Sequence, residues 1–234
     1  MKKFLKDYHK LIEELSENEL FEKHKELVTL CNKITDKVIA EYFENKENLI
    51  ISDDEINEVL VVRNRINHNL ETLFQKYEDK NLLSLFSNTI RVIMTFLLCY
   101  SNSNGFTPLL LNYKCENEKE VEIIEALLKS DAGLYELVDI DGVIITLRNV
   151  ITDEVFDCYD PMFIAFSNQY DIRGNHYLCT RIINCDQISF LSYTIIIKSD
   201  DNRIINAIEH FKENGFDNIS FIDMINDAIP NCLM

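Results

Sequence analysis

The apolar residues of this chain change their repeat near residue 130, and that change limits the folds open to it. In the first hundred residues they recur at helical spacing, with Phe4, Tyr8, Leu11, Ile12 and Leu15 along one stripe. Ser16 with Glu19 three residues on forms a capping box that starts a second helix, carried by Leu20, Leu27, Leu30, Ile34 and Val38 toward Phe43. Ser52 with Glu55 opens another helix through Ile56, Val59 and Leu60. Residues 81–99 are apolar on nearly every side, which marks the most buried helix of the set. Residues 100–108, rich in Ser, Asn, Gly and Pro, break the pattern and set the expected domain boundary.

One more amphipathic helix is expected near 119–129, and then the repeat becomes strand-like. Residues 134–140, 142–150, 154–160, 176–183 and 187–198 are rich in β-branched and aromatic side chains. Asp141-Gly142 signals a hairpin, and Thr152-Asp153 turns the second strand into the third. A helix follows Ser199-Asp200 with Ile204, Ile205, Ile208 and Phe211 facing inward, and a last one near 219–229 ends before Pro230. Strands grouped together and flanked by helices predict an α+β fold. Residues 1–100 are expected to form a helical bundle, and residues 109–234 an α+β domain built on an antiparallel sheet.

Charge follows the same division. Residues 1–100 carry 14 Lys/Arg against 18 Asp/Glu, a balance of -4, whereas residues 101–234 carry 9 against 22, a balance of -13. A surface this anionic repels phosphate backbones and acidic lipid, so the partner it predicts is a basic protein surface and not a membrane. Seven scattered cysteines, with no C-x-x-C and no secretory leader, are expected as reduced thiols in a cytoplasmic protein. The stretch Leu82 to Tyr100 holds Arg91 near its centre, which suits a buried helix better than a membrane span.

Within the helical half, residues 63–68 are Arg63-Asn64-Arg65-Ile66-Asn67-His68. Arg63, Asn64 and His68 resemble the signature of the HEPN family, helical bundles whose active members are often metal-independent ribonucleases. The resemblance covers at most the first hundred residues. It implies a homodimer with two motifs across a shared cleft, His68 as acid/base, Arg63 stabilising phosphate charge and Asn64 orienting the site, with RNA as substrate. Imidazole chemistry at neutral pH and a planar guanidinium fork suit such a role. The plainer reading pairs Arg63 with Glu58 or Asp54, and Arg65 with Glu71, on an exposed helix face. The acids Asp53, Asp54, Glu55 and Glu58 set negative charge beside any RNA backbone.

The other concentration of chemistry is acidic. Asp139, Asp141, Asp153, Glu154, Asp157 and Asp160 crowd the strand region. They lack the Asp-x-Asp-x-Asp-Gly spacing of a calcium loop, so they are expected as an acidic rim of hairpins that steers a basic partner, with no metal and no cofactor. His176 and Cys179, three apart in a strand, point to opposite faces and make a poor nucleophile pair. His9 and His24 look like ordinary helix positions, and His210 suits the end of its helix. No P-loop, dinucleotide, zincin or serine-hydrolase motif is present. Residues 134–161 also resemble a small β unit of uncharacterised SEC-C-related bacterial proteins, without their zinc cysteines. The expected function is therefore a regulatory or interaction protein without catalysis of its own, with a HEPN-type ribonuclease as the rival.

Overall fold

The computed structural model describes residues 10–15, 18–45, 106–130, 132–161, 163–164, 176–200, 202–214 and 224. Its elements are α1 (Glu19–Asn45), α2 (Phe106–Leu111), α3 (Glu118–Lys129), β1 (Ala132–Asp141), β2 (Ile144–Asn149), β3 (Val155–Tyr159), β4 (His176–Cys185), β5 (Ile188–Lys198) and α4 (Asn202–Asn214). The fold is α+β, with an antiparallel sheet and flanking helices. Of the expected N-terminal bundle, a helical stretch at 10–15 and α1 are described. The helices expected from Ser52 and over 81–99, and the motif at 63–68, lie outside the described residues, as does most of the closing helix near 219–229. The chain groups into two compact units, residues 1–35 with 114–194 and residues 36–113 with 195–234.

In the first unit the strand order is β3-β2-β1-β4-β5. Strand β2 shows why a sheet forms here: Ile145 and Leu147 are buried, while Thr146 and Arg148 between and after them are not. Two inner rows cross three strands, Leu137–Leu147–Phe156 and Ile140–Ile145–Cys158. Leu137 and Ile140 are three apart, so a regular strand would send them to opposite faces. A register shift between Leu137 and Asp139 absorbs the odd residue and turns both toward the inner rows, Leu137 buried and Ile140 half-buried, leaving Val138 52% exposed.

Turn chemistry fixes the register. The β1–β2 loop is Gly142-Val143, one residue later than the sequence suggests, because Asp141 still pairs with Ile144. Gly142 takes φ +58 as the first loop residue, the position where a two-residue hairpin of type II′ needs glycine. Asn149 Oδ1 accepts from the N–H groups of Ile151 and Thr152, folding the β2–β3 turn around Asp153. Between β4 and β5, Asp186 and Gln187 both have positive φ, the type I′ pattern that suits strand twist.

Gly133 in β1 is required by a neighbour and not by its backbone angle. The Tyr135 ring folds back over it, and a Cβ would lie 2.8 Å from the ring carbon Cζ. That ring is buried and meets Phe156 edge-on at 5.9 Å between centroids, so it cannot swing away without opening the core. Gly133→Ala is expected to lower stability by roughly 1–3 kcal/mol, as overpacking does, read by urea unfolding. An unchanged midpoint would mean that the ring relocates at no cost.

Helix α1 is capped by Asn18, whose Oδ1 accepts from the N–H groups of Leu20 and Phe21; Ser16, the cap that the capping box suggests, lies outside the described residues. Asn18 stands immediately before the first helical residue, where its side-chain oxygen reaches the first free N–H groups. Its inner face is correspondingly Phe21, His24, Leu27, Cys31, Ile34 and Thr35, continuing to Val38, while Leu20 is exposed and Leu30 only half-buried. In the second unit, α2 buries Leu109 and Leu110, and Lys37 Nζ stands 4.7 Å from the Tyr113 ring centroid. Helix α4 buries Ile204, Ile208 and Phe211, three positions of one stripe; Ile205, expected inside, is exposed.

Candidate functional site

The acidic residues of the strand region do not form one cluster. Thr146 of β2 stands directly opposite both Asp139 of β1 and Asp157 of β3, so these three side chains share one cross-strand row on the face away from Leu147. The Thr146 hydroxyl donates to Asp157 Oδ1 at 2.7 Å. Asp141 lies at the β1 end next to this row, exposed like Asp139 and Asp157. Asp153 and Glu154 occupy the turn at the opposite end of β3, about 10 Å along the strand from Asp157. Glu154 accepts from the Thr152 hydroxyl, a contact local to that turn.

Asp160 has a different task. Its Oδ1 accepts from the N–H of Phe163 at 2.8 Å, and its carbonyl accepts from the N–H of Ile164 at 3.2 Å. It is a helix cap, half-buried, immediately before Pro161 at the first helical position. The acidic rim expected from the sequence therefore reduces to Asp139, Asp141 and Asp157 at one end and Asp153 with Glu154 at the other. Among the described residues no three His, Cys, Asp or Glu side chains gather as a metal site.

The neighbouring row sets the character of that face. Glu136, Arg148 and Val155 stand side by side, with the Arg148 guanidinium donating to Glu136, so the one cation of the row is matched on the spot. Val155 is 60% exposed and Val138 is comparably open. The outer face of β1–β2–β3 thus offers carboxylates, a hydroxyl and two bare valines, with its arginine already paired.

Charge is handled differently where α1 meets α3. A groove of about 900 Å³ runs there, lined by Lys25, Leu30, Lys33, Asn117 and Lys119 among others. Each of these lysines faces glutamate: Lys25 with Glu22, Lys119 with Glu26 at 2.6 Å, and Lys33 with Glu116 and Glu120. Glu120 is 0% exposed. It accepts from Lys33 Nζ at 3.0 Å and from the Glu116 N–H at 2.7 Å, while its own N–H donates to the N-cap Asn117. Hydrogen bonding by Glu120, then Glu116, holds Lys33 charged above the ordinary lysine range, so this contribution to stability fades only as pH rises into strong alkali.

Two buried side chains escape a hydropathy reading altogether. Arg181 on β4 reaches α3, where its Nη1 donates to the Leu127 carbonyl and to Ser130 Oγ, both at 2.9 Å. His24 on α1 is 8% exposed, and its Nε2 meets no hydrogen-bond partner among the described residues. Burial lowers its pKa to about 4. Burial also pushes the Cys158 thiol up to about 12, with Asp160 and Asp157 adding to the shift. His176 is half-buried and Cys179 fully buried, three apart on β4. His210 meets the Phe211 ring edge and Asn214 in the last turns of α4.

Arg63, Asn64 and His68 lie outside the described residues, so their mutual geometry is not part of this site. Among the described residues no helix is long and apolar enough to cross a membrane.

Fold and site together define an acidic α+β protein whose sheet presents an anionic face. By sequence, residues 35–214 match the model of a family of unknown function, DUF7986, and the chain belongs to that family. No curated protein and no solved structure matches it.

Proposed function

We propose that this is a regulatory or interaction protein without catalysis of its own, binding a basic protein surface through the outer face of β1–β2–β3. The observation that carries this reading is the row Asp139–Thr146–Asp157 with Asp141 beside it, beneath a balance of -13 over residues 101–234. The cation of the adjoining row, Arg148, donates to Glu136. Long-range attraction from such a face speeds encounter with a cationic partner, and Val138 and Val155 add apolar contact once the partner arrives.

The test compares the wild-type chain with the triple variant Asp139→Asn/Asp141→Asn/Asp157→Asn, each used to capture partners from the source cells at low and at high salt. Removing three charges without altering shape is expected to weaken capture at least tenfold, and raising salt from 0.05 to about 0.5 M is expected to mimic the substitutions. A partner held equally by both proteins and insensitive to salt would remove the electrostatic basis of the proposal.

A further inference from the structure

His24 sits where α1 meets the sheet of the first unit, and its imidazole touches a ring from each outer strand. Its centroid lies 5.0 Å from that of Tyr159 on β3, at 65°, and 5.9 Å from that of Phe190 on β5, at 87°. Both contacts are edge-on, and β3 and β5 are the two ends of the strand order. Phe21 and Leu27 fill the same inner face one turn to either side, and Cys31 two turns on. The position belongs by spacing to a Leu or Phe, yet it carries a group that can take up a proton.

We propose that His24 is an acid-sensitive latch: its protonation releases the Glu19–Thr35 part of α1 from the sheet while the sheet itself stays folded. This inference is independent of the partner reading above. A charged imidazole in an apolar seam needs a counter-charge, and the surrounding groups are committed elsewhere. On α1, Glu22 pairs with Lys25, Glu26 with Lys119 of α3, and Lys23 with Asp186 of the β4–β5 turn. Around β3, Asp157 accepts from Thr146 and Asp160 caps the following helical turn. The Tyr159 phenol, on the ring that His24 meets, and the Cys158 thiol beside it in sequence both have their pKa raised by burial and stay neutral in acid. On β5, Phe190 offers only its ring edge.

The sign follows from linkage. The released helix binds the proton with an ordinary pKa of 6.5 and the docked helix with one of about 4, so the docked state is fully favoured above 6.5 and loses ground as pH falls toward 4. Between pH 7 and pH 5 the equilibrium constant for release is expected to rise about twentyfold. That window lies above the ordinary carboxylate range, which separates the latch from general acid denaturation.

The experiment is amide hydrogen exchange on the full chain at pH 7 and pH 5, corrected for intrinsic rates, with an NMR titration of the His24 imidazole alongside. Protection of α1 amides between Phe21 and Thr35 is expected to fall about twentyfold, while Leu137 and Leu147 in the sheet hold theirs. In His24→Phe, which keeps the ring contacts and removes the proton site, the α1 loss should vanish. Three results overturn the proposal: the same loss in His24→Phe, an equal loss in helix and sheet, or a wild-type imidazole that titrates near 6.5. The titration needs no variant, so it decides even where His24→Phe does not fold.

Discussion

Arg181→Ala is expected to lower the stability of the first unit by about 3–4 kcal/mol, among the largest losses any single substitution here should produce. The guanidinium is 5% exposed on a central strand, and it is the polar tie between β4 and the end of α3. Leu127 O is one of the last carbonyls of that helix, where the macrodipole is negative and a cation is favoured. Ser130 supplies its own N–H at 3.3 Å and its hydroxyl at 2.9 Å to the same carbonyl, so the arginine completes a C-cap already begun locally. Truncation removes charge-assisted hydrogen bonds and opens a cavity beneath α3, two penalties that add. Arg181→Lys fills part of the space but presents a point charge in place of a fork, and should recover less than half of the loss. Ser130→Ala leaves the guanidinium in place and should cost about 1 kcal/mol. Urea unfolding of the three variants gives the ranking. A loss below 1 kcal/mol for Arg181→Ala would mean that the strand and helix hold together by apolar packing alone.

The sheet was the more legible part of this chain, and the reason is local. Ile145 and Leu147 alternate with Thr146 and Arg148 within one short strand, so the period-2 pattern needs no tertiary knowledge. The bulge at Val138 is different: it is visible only when Leu137 and Ile140 are seen to share rows with Leu147 and Ile145. On α1 hydropathy favours Leu20 and Leu30 over His24, Cys31 and Thr35, which the fold buries. Hydropathy ranks side chains one at a time, whereas the cap at Asn18 sets the phase of the whole face. Asp160 reads by its position in sequence as part of the acidic rim, yet Asp before Pro161 is equally a readable helix start. The Asn117-x-x-Glu120 spacing is equally readable as a capping box, and it carries the strongest hint that one glutamate faces inward. The burial of Arg181 had no such signal, because its partners are the backbone and hydroxyl of residues fifty positions away.

Glu120→Ala should cost about 2–3 kcal/mol, for reasons opposite to those at Arg181. There a cation is held by the Leu127 carbonyl and the Ser130 hydroxyl; here a fully buried carboxylate accepts from the Lys33 ammonium and from a backbone N–H. Removing it strands the Glu116 N–H in the turn before α3, and it frees Lys33 from its closest carboxylate, leaving α1 tied to that end of α3 by Glu116 and by the Lys119–Glu26 pair. Glu120→Gln keeps an acceptor for the Glu116 N–H but gives up the charge, so it should lose less than Glu120→Ala. The pairing is a poor source of net stability even though breaking it is costly, since both ions are better solvated by water when apart. The double variant Lys33→Met/Glu120→Leu should therefore recover most of what Glu120→Ala loses, replacing an ion pair with apolar contact. Chemical unfolding of the four proteins would separate the two accounts. If the double variant is no more stable than Glu120→Ala, the carboxylate is needed for the backbone N–H it satisfies at the start of α3, and its attraction to Lys33 is incidental.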